Sequence, residues 1–238
     1  SLNDKFGITE CLNNIGVIYS NQGDVFTALE FYHKSLKVRE EINDLQGIGY
    51  SLNNIGFIYF NQGEMKEALE YYWRALKIDE KIGDKQGSSN TLINLGALYE
   101  SQHNLPKALE CYGKALRFQE EMTDKVGMAK SLNHIGYINY LQAQTDEAIE
   151  LYGRALVLNT EINEKDGICN SLNNLAVVLL KKGQVNEAFN YAMRSLQAAK
   201  ELGYPENIRN AASTLRIIYQ KQNKFKEALS MYEMAIQM

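Results

Sequence analysis

Apolar residues return along this chain at offsets of three and four, and the whole pattern recurs with a period of about 40 residues. In the first copy Leu12, Ile15, Gly16 and Tyr19 form one helical stripe. Asn21-Gln22-Gly23 ends that helix, because glycine supplies the left-handed backbone that a helix end favours. A second amphipathic stretch follows from Asp24 to Ile42, with Val25, Ala28, Leu29, Tyr32, Ser35, Leu36 and Val38 at helical spacing and Asp24 as its N-cap. The spacing therefore predicts a helical hairpin, its first helix over Ile8–Asn21. The phrase Ser51-Leu52-Asn53-Asn54-Ile55-Gly56 repeats the first, as do Leu92-Ile93-Asn94-Leu95-Gly96, Ser131-Leu132-Asn133-His134-Ile135-Gly136 and Ser171-Leu172-Asn173-Asn174-Leu175-Ala176. A worn sixth copy runs from Ala212 to Tyr219. The expected architecture is an all-α solenoid, one array of about six helix-turn-helix repeats. They span residues 7–46, 47–86, 87–126, 127–166, 167–206 and 207–238, the last cut short.

The small residues explain how the two helices of a hairpin meet. Ala28, Ala68, Ala108, Ala148, Ala188 and Ala228 form an unbroken column. A second column reads Gly16, Gly56, Gly96, Gly136, then Ala176 and Arg216. A mid-helix glycine costs about 1 kcal/mol against alanine, so its recurrence predicts close approach of the partner helix. Tyrosines such as Tyr32, Tyr72, Tyr112 and Tyr152 fill the space beside it. The hairpins are joined by an Asp-x-x-Gly phrase at Asp44, Asp84 and Asp124, replaced at the fifth joint by Gly203-Tyr204-Pro205. Leu2-Asn3-Asp4-Lys5-Phe6-Gly7 matches these joints, so the chain is expected to open on the tail of a preceding helix and to be an excerpt of a longer protein.

Leu12, Ile15-Gly16, Tyr19, Ala28, Tyr32 and Ser35, with their copies, resemble the tetratricopeptide-repeat pattern over almost the whole chain. Two features depart from that family: the proline after the second helix is absent, with Glu40, Glu80, Glu120 and Thr160 in its place, and the period exceeds the usual 34. The longer unit resembles the arrays of Pins-type polarity scaffolds, kinesin light chains, Rap-type peptide receptors and regulatory segments of bacterial signalling proteins. The resemblance implies a right-handed superhelix whose first helices line a concave groove.

Composition narrows the classes of function. The net charge of −4 argues against a nucleic-acid partner, and no apolar run is long enough to span a membrane. Cys11, Cys111 and Cys169 are odd in number and lack CxxC spacing, which fits free thiols in a reducing, cytoplasmic setting. There is no phosphate-binding glycine loop, no nucleophile elbow and no HExxH, so no catalytic residue, metal or cofactor is expected. Glu30–Lys34, Glu70–Arg74, Glu110–Lys114 and Glu150–Arg154 read as i,i+4 pairs on a solvated face.

The informative positions lie on the first helices, opposite the packing stripe. One column of this second stripe reads Glu10, Tyr50, Asn90, Lys130, Asn170 and Asn210; the next reads Asn14, Asn54, Asn94, His134, Asn174 and Thr214. A third contains Phe57 and Tyr137, and a fourth Asn21, Asn61 and Lys181. Asparagine is a poor helix-interior residue, but its amide can pair with the backbone of an extended peptide of any sequence. The other account of these amides is bonding to neighbouring helices, or simple copying by duplication. Phe57 and Tyr137 are candidate apolar anchors or ordinary inter-repeat contacts. Lys130, His134, Lys181, Arg216 and Lys221 make the C-terminal half of the stripe the more basic. Few cations stand at the first entries of the stripe, which disfavours a clamp for a peptide C-terminus. The expected partner is a protein or peptide held in the groove, with end-to-end self-association through apolar terminal faces. The alternative is a regulatory module of a bacterial sensor kinase, cyclase or transcription factor.

Overall fold

The computed structural model describes residues 2–237, with side chains from residue 4 onward. Among them are twelve helices and no strand. In chain order they are α1 (Leu2–Asn21), α2 (Val25–Glu41), α3 (Leu45–Asn61), α4 (Met65–Ile82), α5 (Lys85–Ser101) and α6 (Leu105–Met122), then α7 (Lys125–Leu141), α8 (Thr145–Glu161), α9 (Lys165–Lys181), α10 (Val185–Leu202), α11 (Pro205–Lys221) and α12 (Phe225–Gln237). Consecutive helices pair as antiparallel hairpins. The helices fall into two compact units of three hairpins each, which divide between Met122 and Thr123.

The helices start and stop for local reasons. Asp44, Asp84 and Asp124 each accept a hydrogen bond from the backbone N–H of the glycine three residues on, at 3.0, 2.8 and 3.0 Å. Their joints therefore cap α3, α5 and α7, whose first helical residues precede the predicted starts by a full turn. Asp24 caps α2 in the same way through Thr27. Between the helices of each hairpin one residue is left-handed: Gly23, Gly63, His103, Ala143, Gly183 and Asn223, with φ from +57° to +86°. Only three of the six are glycine. The matching phrase at the start of the chain behaves differently. Asn43 turns the chain at φ +55°, whereas Asn3 is helical, so Leu2–Gly7 belongs to α1 rather than to a joint. Ser1, the side chains of Leu2 and Asn3, and Met238 lie outside the described residues.

Within each hairpin the mid-helix glycine meets the tyrosine ring of its partner. A Cβ built on Gly16, Gly56, Gly96 or Gly136 would stand 2.5–2.9 Å from Tyr32, Tyr72, Tyr112 or Tyr152 respectively. These rings and the alanine column are buried. In the fifth hairpin both partners change together, to Ala176 and Ala192, and the pair remains fully buried. In the sixth, Arg216 replaces the glycine and Tyr232 is half exposed.

The first helices of successive hairpins also touch: α3 with α5 in the first unit, and α7 with α9 and α9 with α11 in the second. Each unit thus presents a row of first helices and a row of second helices.

Candidate functional site

The second stripe of the first helices faces away from the hairpin partner. Tyr50, Phe57 and Tyr137 are about two-fifths exposed, and Asn14, Asn21, Asn61, Lys130 and Lys181 are also at the surface. Asn54, Asn94, His134 and Asn174 sit deeper, half buried between neighbouring first helices. Lys181 lies 4.2 Å from the centroid of the Tyr140 ring and donates to the Tyr140 carbonyl at 3.0 Å. The Tyr50 hydroxyl accepts from Gln46 at 3.3 Å, and burial raises its pKa.

The amides of this stripe are tied to the preceding repeat. Asn54 Nδ2 donates to Asn13 Oδ1 at 3.0 Å, and Asn94 Nδ2 donates to Asn53 Oδ1 at 3.1 Å. Thr214 Oγ1 makes the corresponding bond to Asn173 Oδ1 at 2.9 Å. One N–H of each amide is used in this way. The second N–H and the carbonyl oxygen remain beside it. The partner column, Asn13, Asn53 and Asn173, was legible as a repeated asparagine but was not singled out.

Between α7 and α9 the ladder is interrupted. Asn133 turns instead to Ser171, at 3.4 Å from its Oγ, and the Asn174 side chain makes no hydrogen bond within the described residues. Here a cleft of about 360 Å³ opens, lined by Val126, Lys130, Asn133, His134, Asn159, Glu164, Asp166, Gly167, Asn170 and Asn174. Asp166 is held on both oxygens, by Asn207 Nδ2 at 2.7 Å and Asn170 Nδ2 at 3.2 Å. Of the predicted residues, the cleft brings together Lys130, His134 and Asn174. Tyr50, Phe57, Asn14, Asn54 and Asn94 belong to the other unit.

A further set of polar residues escaped sequence reasoning. Arg39, Asp79, Gln119 and Asn159 occupy one repeat position near the end of the second helices, and all are buried. Arg39 donates to the Gly47 carbonyl, Gln119 to Ser89 Oγ at 2.9 Å and Asn159 to Ser171 Oγ at 3.2 Å. Asp79 accepts from Thr91 at 3.3 Å, but its other oxygen has no partner. Burial, with Asp84 nearby, pushes its pKa up to about 6. A Cβ on Gly87 would stand within 3 Å of the Asp79 carboxyl, and one on Gly167 within 3 Å of the Asn159 amide. The joint glycines thus make room for these buried polar groups. Their signal was the period itself: four unlike polar residues at one position of an otherwise apolar helix face.

The described residues contain no cluster of three or more His, Cys, Asp or Glu side chains that could hold a metal ion. No helix among them is long and apolar enough to cross a membrane. Cys11, Cys111 and Cys169 are free thiols.

The row of hairpins, the glycine–tyrosine contacts and the amide-lined face define a helical repeat scaffold. The tetratricopeptide-repeat family matches residues 8–44, 47–121, 91–161, 127–201 and 167–238, and the chain belongs to that family. No curated protein matches it significantly in sequence. Several solved structures share its fold. BtubC (BKLC) from P. vanneervenii is 17% identical over 90% of this chain and 88% of its own, with a TM-score of 0.75. A signal transduction ATPase with numerous domains from Pyrococcus horikoshii, which carries a tetratricopeptide repeat sensor, is 17% identical over 98% of this chain and 37% of its own, with a TM-score of 0.81. A Rap protein complexed with competence and sporulation factor is 14% identical over 95% of this chain and 73% of its own, with a TM-score of 0.69.

Proposed function

We propose that this chain is a protein-interaction scaffold that holds an extended peptide along its first helices, with the cleft between α7 and α9 as the principal contact. The observation that supports this reading is the break in the amide ladder. The Asn174 side chain is half buried, makes no hydrogen bond within the described residues, and lines a polar cleft beside Lys130 and His134. An amide so placed offers donor and acceptor to a peptide backbone at low sequence selectivity, while Lys130 favours an acidic neighbour. In the second unit Tyr137 supplies an exposed ring for an apolar side chain; in the first unit, taken by itself, Tyr50 and Phe57 supply such rings and the amides of Asn54 and Asn94 retain an N–H and an oxygen each. The ladder bonds pre-orient those amides, which lowers the ordering cost of binding. The Rap protein crystallised with competence and sporulation factor gives the reading a precedent in the same fold.

The test is a peptide-display selection on the intact chain, followed by calorimetric titration of the enriched peptides. Lys130→Glu and Asn174→Ala should each weaken them about tenfold or more, since hydrogen bonds to charged groups and unpaired amides carry that much, without lowering the melting temperature. Selected peptides indifferent to both changes would exclude the cleft.

A second reading draws on the Pyrococcus horikoshii ATPase with a tetratricopeptide repeat sensor, of which the match covers 37%. There the array would relay occupancy to an effector. The measurement that separates the two is whether peptide binding changes the activity of a kinase, cyclase or DNA-binding domain in the full-length protein. The exposed side of α12, with Phe225, Leu229, Tyr232 and Ile236, supports end-to-end association of copies; sedimentation of Leu229→Glu beside the unchanged chain tests it. The free thiols fit work in a reducing compartment such as the cytoplasm.

A further inference from the structure

Helix α2 borders a groove that the repeat pattern does not require. At the second residue of α2 stands Phe26, 80% exposed. The equivalent positions hold Lys66, Pro106, Asp146, Asn186 and Lys226, none of them a large apolar residue. The other five repeats therefore act as internal controls, and they show that the hairpin packs without a ring here. Holding an aromatic ring in water forgoes stabilisation that its burial against another surface would supply.

Beside Phe26 lies an open groove of about 530 Å³ between α2 and the end of α3. Leu29 and the Tyr59 ring form its apolar floor. That floor is braced from behind: Tyr59 stacks on Tyr71 of α4 with centroids 5.5 Å apart, and His33 meets the same Tyr71 edge-on at 6.3 Å. A braced wall loses little side-chain freedom when something docks on it.

The rim has a definite charge. Its carboxylate, Glu30, is held by Lys34 at 2.5 Å. Lys34 and Lys37 both line the groove, two cations against the one carboxylate. Burial and the Arg74 charge hold the His33 pKa below its ordinary value, so the imidazole meets a ligand uncharged. In a chain of net charge −4, this groove is apolar at its floor and cationic at its rim.

We infer that the groove beside Phe26 is a second docking surface. Its occupant is an acidic protein segment that lays leucine-type side chains against Phe26, Leu29 and Tyr59 and its carboxylates against Lys34 and Lys37. The surface lies on α2 and the end of α3 and does not depend on the cleft between α7 and α9.

The experiment is calorimetric titration of the chain with an acetylated peptide of two leucines flanked on both sides by glutamates, and with the same peptide carrying lysines instead. The glutamate peptide should bind and the lysine peptide should not. Phe26→Lys, the residue that the second repeat itself carries, should weaken binding about tenfold or more. Lys37→Glu should weaken it severalfold, and added salt should do the same to the unchanged protein. Lys130→Glu in the α7–α9 cleft should leave it intact, which keeps this test separate from the peptide-binding reading above. Phe26 is exposed, so the melting temperature of Phe26→Lys should match the parent and a folding defect would be visible. Equal affinity of Phe26→Lys and parent, or equal affinity for the two peptides, overturns the inference. So does a dimer of the unchanged chain that Phe26→Lys dissolves, because the occupant is then a second copy.

Discussion

Gly96 and Tyr112 meet so closely that a Cβ on the glycine would stand 2.5 Å from the ring's Cε1. The contact joins the two helices of the third hairpin at their centre, with Tyr112 fully buried. Its hydroxyl donates to Glu100 Oε2 at 2.9 Å, so the ring is fixed at both ends. Gly96→Ala should therefore destabilise the protein by roughly 1–3 kcal/mol through overpacking, although alanine is the better helix former by about 1 kcal/mol. The fifth hairpin already contains the relaxed alternative, Ala176 facing Ala192. In a double-mutant cycle, Gly96→Ala with Tyr112→Ala should cost less than the two single changes added together. Strict additivity in denaturant melts would mean that the contact is not shared.

The neighbouring hairpin holds the same ring differently. The Tyr72 hydroxyl is buried and finds no hydrogen-bond partner, and burial raises its pKa strongly. Tyr72→Phe removes an unsatisfied polar group, so it should be neutral or stabilising. Tyr112→Phe removes the bond to Glu100 and should cost about 1 kcal/mol. Parallel thermal melts of the two variants give the comparison.

Asp79 makes stability depend on pH. Its carboxyl is buried with one oxygen unpartnered, and its pKa is pushed up to about 6, above the value of about 3.9 expected in the unfolded chain. A raised folded-state pKa means that the native protein binds the proton more tightly. The associated stability is fully present below about pH 4 and is lost as pH rises through about 6, on the order of 2–3 kcal/mol in all. Asp79→Asn, which copies the residue at Asn159, should remove this fall and raise the melting temperature at pH 7. An unchanged pH profile in the variant would assign the slope to other groups.

Ala143 adopts φ +62° in the turn between α7 and α8, where Gly23, Gly63 and Gly183 stand in other hairpins. A left-handed alanine is strained by about 1 kcal/mol, which glycine avoids. Ala143→Gly should therefore stabilise the chain by about that amount, less the extra entropy of the unfolded glycine. The reverse change, Gly63→Ala, should destabilise by a similar figure, and chemical denaturation of both checks the sign.

The amide ladder predicts a graded effect on the candidate site. Asn94→Ala breaks one half-buried bond to Asn53, so it should lower stability by about 0.5–1.5 kcal/mol. Asn174→Ala breaks none within the described residues and should leave stability level or slightly raised, since alanine favours helix. A peptide held by the cleft should lose affinity in Asn174→Ala and keep it in Asn94→Ala. Loss of affinity in Asn94→Ala alone would move the contact to the first unit.

The hairpins, their order and their contacts were legible in the sequence because they depend on local, repeated physics. Helical spacing, the Asp caps and the alanine column act within a few residues, and duplication wrote each signal several times. Gly96 facing Tyr112 could be inferred for the same reason: a glycine that weakens its helix needs a close neighbour. The start of α1 was misread because Leu2–Gly7 copies a joint in sequence while its backbone stays helical. The sequence left open where the asparagines send their hydrogen bonds, since a repeated amide looks the same whether it meets a ligand or the preceding repeat. Only the packed helices fixed Asn54 on Asn13 and Asn94 on Asn53, and left Asn174 lining a cleft. Likewise, four unlike residues, Arg39, Asp79, Gln119 and Asn159, share no side-chain chemistry that a pattern could register. What unites them is burial beside the next helix, and burial is decided by residues far apart in sequence that only the folded chain brings together.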